Sequence, residues 1–168
     1  MPLGTHIDTT AIDSLSIGGR GGKEAHIGAI LPGWRRVGAA LHDYELDTVD
    51  GTLQLELKKQ ANLQWFDVGK YFELSAQSRL IWLLFVIHDD GVVTLLLAVR
   101  LGEFTDFLCS TPKFQKLGWN SDLFQTAARF KTLYPALQFK VKAEVLSLYR
   151  AYPELFEMIY NRQNQVAN

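Results

Sequence analysis

The sequence predicts an α/β fold, with a small mixed or antiparallel central sheet flanked by helices. Three observations predict it. Leu53, Leu55 and Leu57 alternate with Gln54, Glu56 and Lys58, the period of a strand with one buried face. Ile81 to Ile87 is an unbroken apolar run, suited to a strand buried on both faces. Asp-Gly pairs at 50–51 and 90–91 each stand between two such segments, and a tight turn wants residues that accept φ > 0 at both of its central positions.

The elements follow in order. Residues 1–20 are weakly patterned and run into Gly18-Gly19-Arg20-Gly21-Gly22; a flexible or partner-packed arm is expected, with 21–168 as a single domain. Lys23 to Leu31 fits a short helix with Ala25, Ile27, Ile30 and Leu31 at its apolar positions, ended by Pro32-Gly33. Trp34 to Leu41 reads as a helical turn or an extended link. Asp43 to Val49 and Thr52 to Lys58 form the first strand pair. Gln60, Asn62, Gln64, Trp65 and Asp67 suggest a polar loop, and Val68 to Arg79 a helix. Trp82 to Ile87 and Val92 to Val99 form a second hairpin. Asn120-Ser121-Asp122 supplies helix-start chemistry for a helix through Leu133. A further helix is expected from Lys140 to Tyr149, and Pro153 opens a last one through Asn161.

Composition narrows the classes. The 168 residues fit one compact domain that buries roughly two-thirds of its unfolded surface. A hydrophobic fraction of 48% argues against disorder. With 17 basic and 18 acidic residues, a nucleic-acid partner requires the charges to be segregated into a patch. The single Cys109 excludes an internal disulfide and suits a reducing, cytoplasmic setting. Its apolar surroundings read as a buried structural thiol. His88-Asp89-Asp90-Gly91 breaks the apolar stretch from Leu80 to Leu101 into halves too short to span a bilayer, so no membrane partner is expected.

The chemistry concentrates on the first hairpin. With Asp50-Gly51 as the turn, Val49 faces Thr52, Asp47 faces Gln54 and Glu45 faces Glu56. Asp47 then becomes a same-face diagonal neighbour of Glu56, and Lys58 projects from that face two residues further on. Two carboxylates beside a lysine are what metal-assisted phosphodiester cleavage needs. The acids hold a divalent cation, and the lysine orients water or stabilises charge. Asp43 and Glu45 share the face, so either replaces Asp47 if the register differs by two. Asp50 is better used as the turn residue, and Glu24 is better read as an acid near the start of its helix.

This hairpin resembles the PD-(D/E)xK nuclease superfamily, and more closely the PvuII-like type II restriction endonucleases. The resemblance rests on Asp47-Thr-Val-Asp50 followed by Glu56-Leu-Lys58, and on Gly21-Gly22-Lys23 upstream. It also rests on the strands Trp82 to Ile87 and Val92 to Leu101, running into Glu103-Phe104-Thr105-Asp106-Phe107. It covers about residues 18 to 110. It implies a restriction-endonuclease-like fold and a Mg²⁺-dependent DNA endonuclease, with Mn²⁺ as a substitute. Asp47 and Glu56 would be the metal ligands and Lys58 the catalytic lysine. It also implies double-stranded DNA as partner and a homodimer, since one site per chain must cut two strands. The N-terminal arm or the Ala25 to Leu31 helix is the expected contact surface. A junction or repair nuclease reading shape, or a non-catalytic DNA-binding or assembly module, are the rival readings.

Lys59, Gln60, Asn62, Gln64 and Trp65 follow the lysine, and such side chains can meet phosphates and base edges. The PvuII-like family carries histidines there and this chain has none, so a recognition sequence cannot be carried over. Lys113, Lys116, Arg129, Lys131, Lys140 and Lys142 form a second basic region, and Arg20 sits in the glycine cluster.

Overall fold

The computed structural model describes residues 2–14, 27–38, 42–59, 62–63, 65–110 and 143–166. Outside the described residues lie Arg20, Glu24, Gln60, Gln64, the expected helix from Asn120 to Leu133 and the basic residues between Lys113 and Lys142. The fold is mixed α/β around an open, mostly antiparallel sheet of six strands. The chain divides into two compact units: Met1–Ala61, Trp82–Ala98 and Phe156–Asn168 form one, Asn62–Ile81 and Val99–Leu155 the other.

The first unit holds the sheet. Its strands are β1 (Arg35–Arg36), β2 (Tyr44–Thr48), β3 (Gly51–Lys58), β5 (Trp82–Asp89), β6 (Val92–Arg100) and β8 (Glu157–Asn161), side by side in that order. β1, β2 and β3 form an antiparallel meander. β5 then lies parallel to β3, with Leu55 beside Trp82 and Glu56 beside Leu83. A parallel neighbour cannot be reached by a tight turn, and the intervening residues make the crossover. β8 pairs antiparallel with β6 and closes the far side, with an irregularity between Leu96 and Leu97. The second Asp-Gly pair turns as the sequence suggests: Asp90 (φ 50°) and Gly91 (φ 86°) both take positive φ between β5 and β6.

One face of this sheet builds the unit's core. Leu55 and Leu57 of β3, Leu84 and Val86 of β5, and Leu96 and Ala98 of β6 are buried there with Tyr44 and Tyr160. Leu3, Ile7, Ile12, Ile27, Ile30 and Leu31 complete the cluster. Residues 2–14 are therefore docked on this core, and residues 15–20 of the expected arm lie outside the described residues. Leu3–His6 and Ile12–Ser14 are 3₁₀ turns, and the Asp8 N–H donates to the Ile30 carbonyl at 2.9 Å. The Glu157 carboxylate accepts from the N–H groups of Leu3 (2.9 Å) and Gly4 (2.7 Å). Ile27, Ile30 and Leu31 have the same core role, whereas residues 15–26 of the two segments expected to pair two chains lie outside the described residues.

Two other expectations change. Residues 157–161 form strand β8, not a continuing helix: Pro153–Leu155 makes only a 3₁₀ turn, and Arg162–Val166 is helical again. Burial of Tyr160 in the core and pairing with β6 outweigh the helical signal of Pro153. Trp34 to Leu41 contributes β1, an edge strand of two residues.

In the second unit, α1 (Trp65–Gln77) starts earlier than expected, at Trp65, and β4 (Asn62–Leu63) pairs with β7 (Ala143–Glu144). Helix α2 (Leu101–Ser110) follows β6 directly, and α3 (Val145–Ala151) is the shortened form of the helix expected from Lys140. Tyr71 of α1 meets Phe104 of α2 edge-on, and Ser75 hydrogen-bonds Thr105 at 3.2 Å in a buried position. Arg79 pairs with Asp106. Among the described residues no helix is long and apolar enough to cross a membrane.

Candidate functional site

Strand alternation sorts the hairpin's side chains. Leu55 and Leu57 enter the core, so Gln54, Glu56 and Lys58 project from the opposite face. Glu45 pairs with Gln54 and Asp47 with Thr52, which puts both acids on that face too. Arg35 stands opposite Glu45 on β1 and joins them.

The register differs from the sequence expectation by two residues. Thr48 pairs with Gly51, so Val49 and Asp50 occupy the turn and Asp47 faces Thr52 rather than Gln54. The local chemistry explains the shift. Only one residue of the first Asp-Gly pair, Gly51 (φ 128°), takes positive φ, so the pair does not supply the two positive angles that the expected turn requires. Thr48 holds the alternative turn, its hydroxyl donating to the Gly51 carbonyl at 2.7 Å and accepting from the Asp50 N–H at 3.2 Å. Asp47 is thereby separated from Glu56 by four residues along β3, roughly 13 Å.

Asp47 is instead held by Arg35 (2.7 Å) and by the Thr52 hydroxyl (2.8 Å). The same guanidinium reaches Glu45 at 2.6 Å. His42, buried, places Nε2 2.8 Å from the other Glu45 oxygen; an ionised carboxylate only accepts, so Nε2 carries the proton. These bonds favour the charged forms. Arg35, with Thr52 second, keeps the Asp47 carboxyl below the usual range, and His42, helped by Arg35, does the same for Glu45. Asp47 and Glu45 together raise Arg35 further above its already high value.

The shift brings Glu45 to the position expected of Asp47, opposite Gln54, and Asp43 to the level expected of Glu45, beside Glu56. Asp43 precedes β2, its N–H donates to the Leu55 carbonyl at 2.8 Å, and its carboxylate accepts from the Leu57 N–H at 2.8 Å. That amide lies between Glu56 and Lys58 in the chain, so Asp43 is fixed at their level of β3. Its own carbonyl accepts from the Val37 N–H at 2.9 Å, tying the entry of β2 to the residue after β1. Glu56 is 3% exposed and is the one acid classed as buried among the described residues; acids are rarely buried unless they are paired. Lys58 is half-buried.

The remaining candidates are scattered. Lys59 is half-buried just past β3. Asn62 stands in β4 opposite Glu144, and Trp65 is the first residue of α1. Among the described residues no group of three or more His, Cys, Asp or Glu side chains gathers as a ready-made metal cluster. The His88 ring accepts from the Gly91 N–H at 3.1 Å and braces the second hairpin. Burial, with the nearby charge of Asp106 second, pushes the Cys109 thiol up to about 11, which suits an inert thiol.

Sequence reasoning missed Arg35. Its signal is the Arg-Arg pair after Trp34, which reads as a linker until β1 is seen to pair with β2. Comparison with protein families, with curated proteins and with solved structures returns no match.

Proposed function

We propose that this chain is a divalent-metal-dependent DNA endonuclease of the PD-(D/E)xK kind, with Asp43, Glu56 and Lys58 as its centre. The observation that carries the reading is the seating of the Asp43 carboxylate on the amide of Leu57, the residue between Glu56 and Lys58 in β3. The hydrogen-bonded register supports Asp43 over Asp47, whose carboxylate is committed to Arg35 and Thr52.

The donor set suits Mg²⁺ or Mn²⁺. Asp43 and Glu56 offer hard carboxylate oxygens with no thiolate or imidazole between them, and Mg²⁺ is commonly held by one or two carboxylates while keeping several waters. Both residues would hold the ion, which when bound supplies charge stabilisation and a more acidic water. The chain's own part is then defined. The Leu57 N–H keeps the Asp43 carboxylate oriented, and the depth of Glu56 in the sheet strengthens its electrostatic interactions. Lys58, on the face of Glu56, orients the attacking water or balances the charge growing on the phosphate oxygens. Cleavage of both strands calls for two such centres, and a two-fold pair of chains on duplex DNA provides them.

The test is digestion of supercoiled plasmid and of a four-way junction with Mg²⁺ or Mn²⁺, with and without chelator. Asp43→Asn and Lys58→Ala should each lower turnover at least about 10²-fold, as expected when a transition-state contact is removed. They should keep a folded spectrum and DNA binding in Ca²⁺. Asp47→Asn should remain active. Loss of cleavage in Asp47→Asn with normal rates in Asp43→Asn would reverse the assignment, and no metal-dependent cleavage of either substrate would end the nuclease reading.

A further inference from the structure

We propose that Asp90-Gly91, the turn of the second hairpin, is a site of self-modification: the His88 imidazole is the base that converts Asp90 to a succinimide and then to isoaspartate. Ring closure of this kind joins the backbone nitrogen of the following residue to the aspartyl Cγ. It needs a base on that nitrogen's hydrogen and open space beside the nitrogen. The turn supplies both. The Gly91 N–H donates to His88 Nδ1 at 3.1 Å, inside the reach of about 2.6–3.2 Å between a general base and the group it deprotonates. A ring nitrogen that accepts carries no proton, so neutral His88 is the Nε2–H tautomer with its Nδ1 lone pair aimed at the nucleophile. Gly91 has no Cβ to obstruct the attack. Gly91 is buried whereas Asp90 is exposed. Solvent hydroxide is thus kept from the amide, which leaves the protein to provide the base, and the released water departs from the carboxyl side.

The atoms balance within the chain. His88 Nδ1 takes the Gly91 amide proton as the nitrogen bonds to Cγ of the protonated Asp90 carboxyl. The imidazolium then gives a proton to the departing hydroxyl, which leaves as water while the Cγ carbonyl re-forms. One C–N bond is made, one C–O bond is broken, and His88 ends neutral. Water reopens the ring at either carbonyl. Attack at Cγ restores Asp90, and attack at the main-chain carbonyl leaves isoaspartate, with one more carbon in the backbone of the turn. The first Asp-Gly pair provides the contrast. The Thr48 hydroxyl there donates to the Gly51 carbonyl and accepts from the Asp50 N–H, and neither bond puts a base on the Gly51 nitrogen.

The experiment incubates the full chain at neutral pH, folded and in urea, and follows tryptic peptide 80–100 by mass spectrometry. The succinimide is lighter by one water, and electron-transfer fragmentation separates isoaspartate from aspartate. The comparison is His88→Asn, whose side-chain oxygen can accept the same bond but takes no proton. Folded wild type should convert Asp90 at least about tenfold faster than folded His88→Asn, as loss of a general base requires, and in urea the two rates should coincide. Equal rates in the folded chains, no conversion in folded wild type, or a difference that persists in urea would each overturn the proposal. Should His88→Asn fail to fold, wild type decides alone. Its rate at Asp90 relative to Asp50, read in peptide 37–58, should drop about tenfold on unfolding, and an unchanged or higher ratio refutes the role of His88.

Discussion

Ile12→Ala measures whether the first residues of the chain are part of its core. Ile12 is 2% exposed and lies in one cluster with Leu3, Ile7, Ile27 and Ile30. The substitution removes three carbons from a buried side chain, about 2.4 kcal/mol at ~0.8 kcal/mol per methylene. A residual cavity raises the cost, and about 3–4 kcal/mol is expected, within the ~2–5 kcal/mol range for such truncations. That is a large share of a typical domain stability of about 5–15 kcal/mol. The assay is urea denaturation followed by tryptophan emission. Trp34 is a suitable reporter because its indole N–H donates to the His6 carbonyl at 2.9 Å, a bond that depends on the docked N-terminal segment. At a urea m-value of about 1–3 kcal/mol per M, the midpoint should fall by roughly 1–4 M. An unchanged midpoint at an unchanged slope would refute the placement of Ile12, and with it the structural role of residues 2–14.

Gly102→Ala tests the second unit: an added Cβ would lie 2.7 Å from the Arg79 Cβ and about as close to its guanidinium, so a loss of about 1–3 kcal/mol is expected from overpacking, read by thermal denaturation. Asp47 tests the electrostatics by pH. Its folded carboxyl is held down by Arg35 and then Thr52, so the pairing contributes above the unfolded value of about 3.9 and is lost as the pH falls through the lower folded value. Carboxylate carbon shifts should therefore give a midpoint below that of an unfolded Asp, returning toward it in Arg35→Gln. Equal midpoints in the two proteins would contradict the ion pair.

The legible parts of this chain are those written in period and run length. Leu53, Leu55 and Leu57 marked β3 and its two faces, and the apolar run from Ile81 marked a strand buried on both sides. Asp90-Gly91 marked its turn because both residues adopt positive φ. The same two letters misled at 50–51, since Thr48 offers a competing turn whose side-chain bonds no propensity encodes. A two-residue slip keeps every side chain on its face, so the acidic face was legible while the partner each acid meets across the hairpin was not. Residues 157–161 and 2–14 were misread for a shared reason. Glu157 and Tyr160 are defined by partners about 150 residues away, Leu3, Gly4 and Asp13, and no local window contains them.

The clasp between Glu157 and the N–H groups of Leu3 and Gly4 spans 154 and 153 residues, and it sets an order on the chain's synthesis. Contacts of such sequence separation close late, because the loop entropy is lost before any bond repays it. While a growing chain is shorter than 157 residues, Leu95 to Ala98 of β6 lack the strand that pairs with them. An unpaired apolar strand is a template for other chains. The nascent protein therefore carries its greatest aggregation hazard just before the final strand emerges, and a chaperone that shields β6 until then would raise the yield of folded chain more than one acting on the first hairpin.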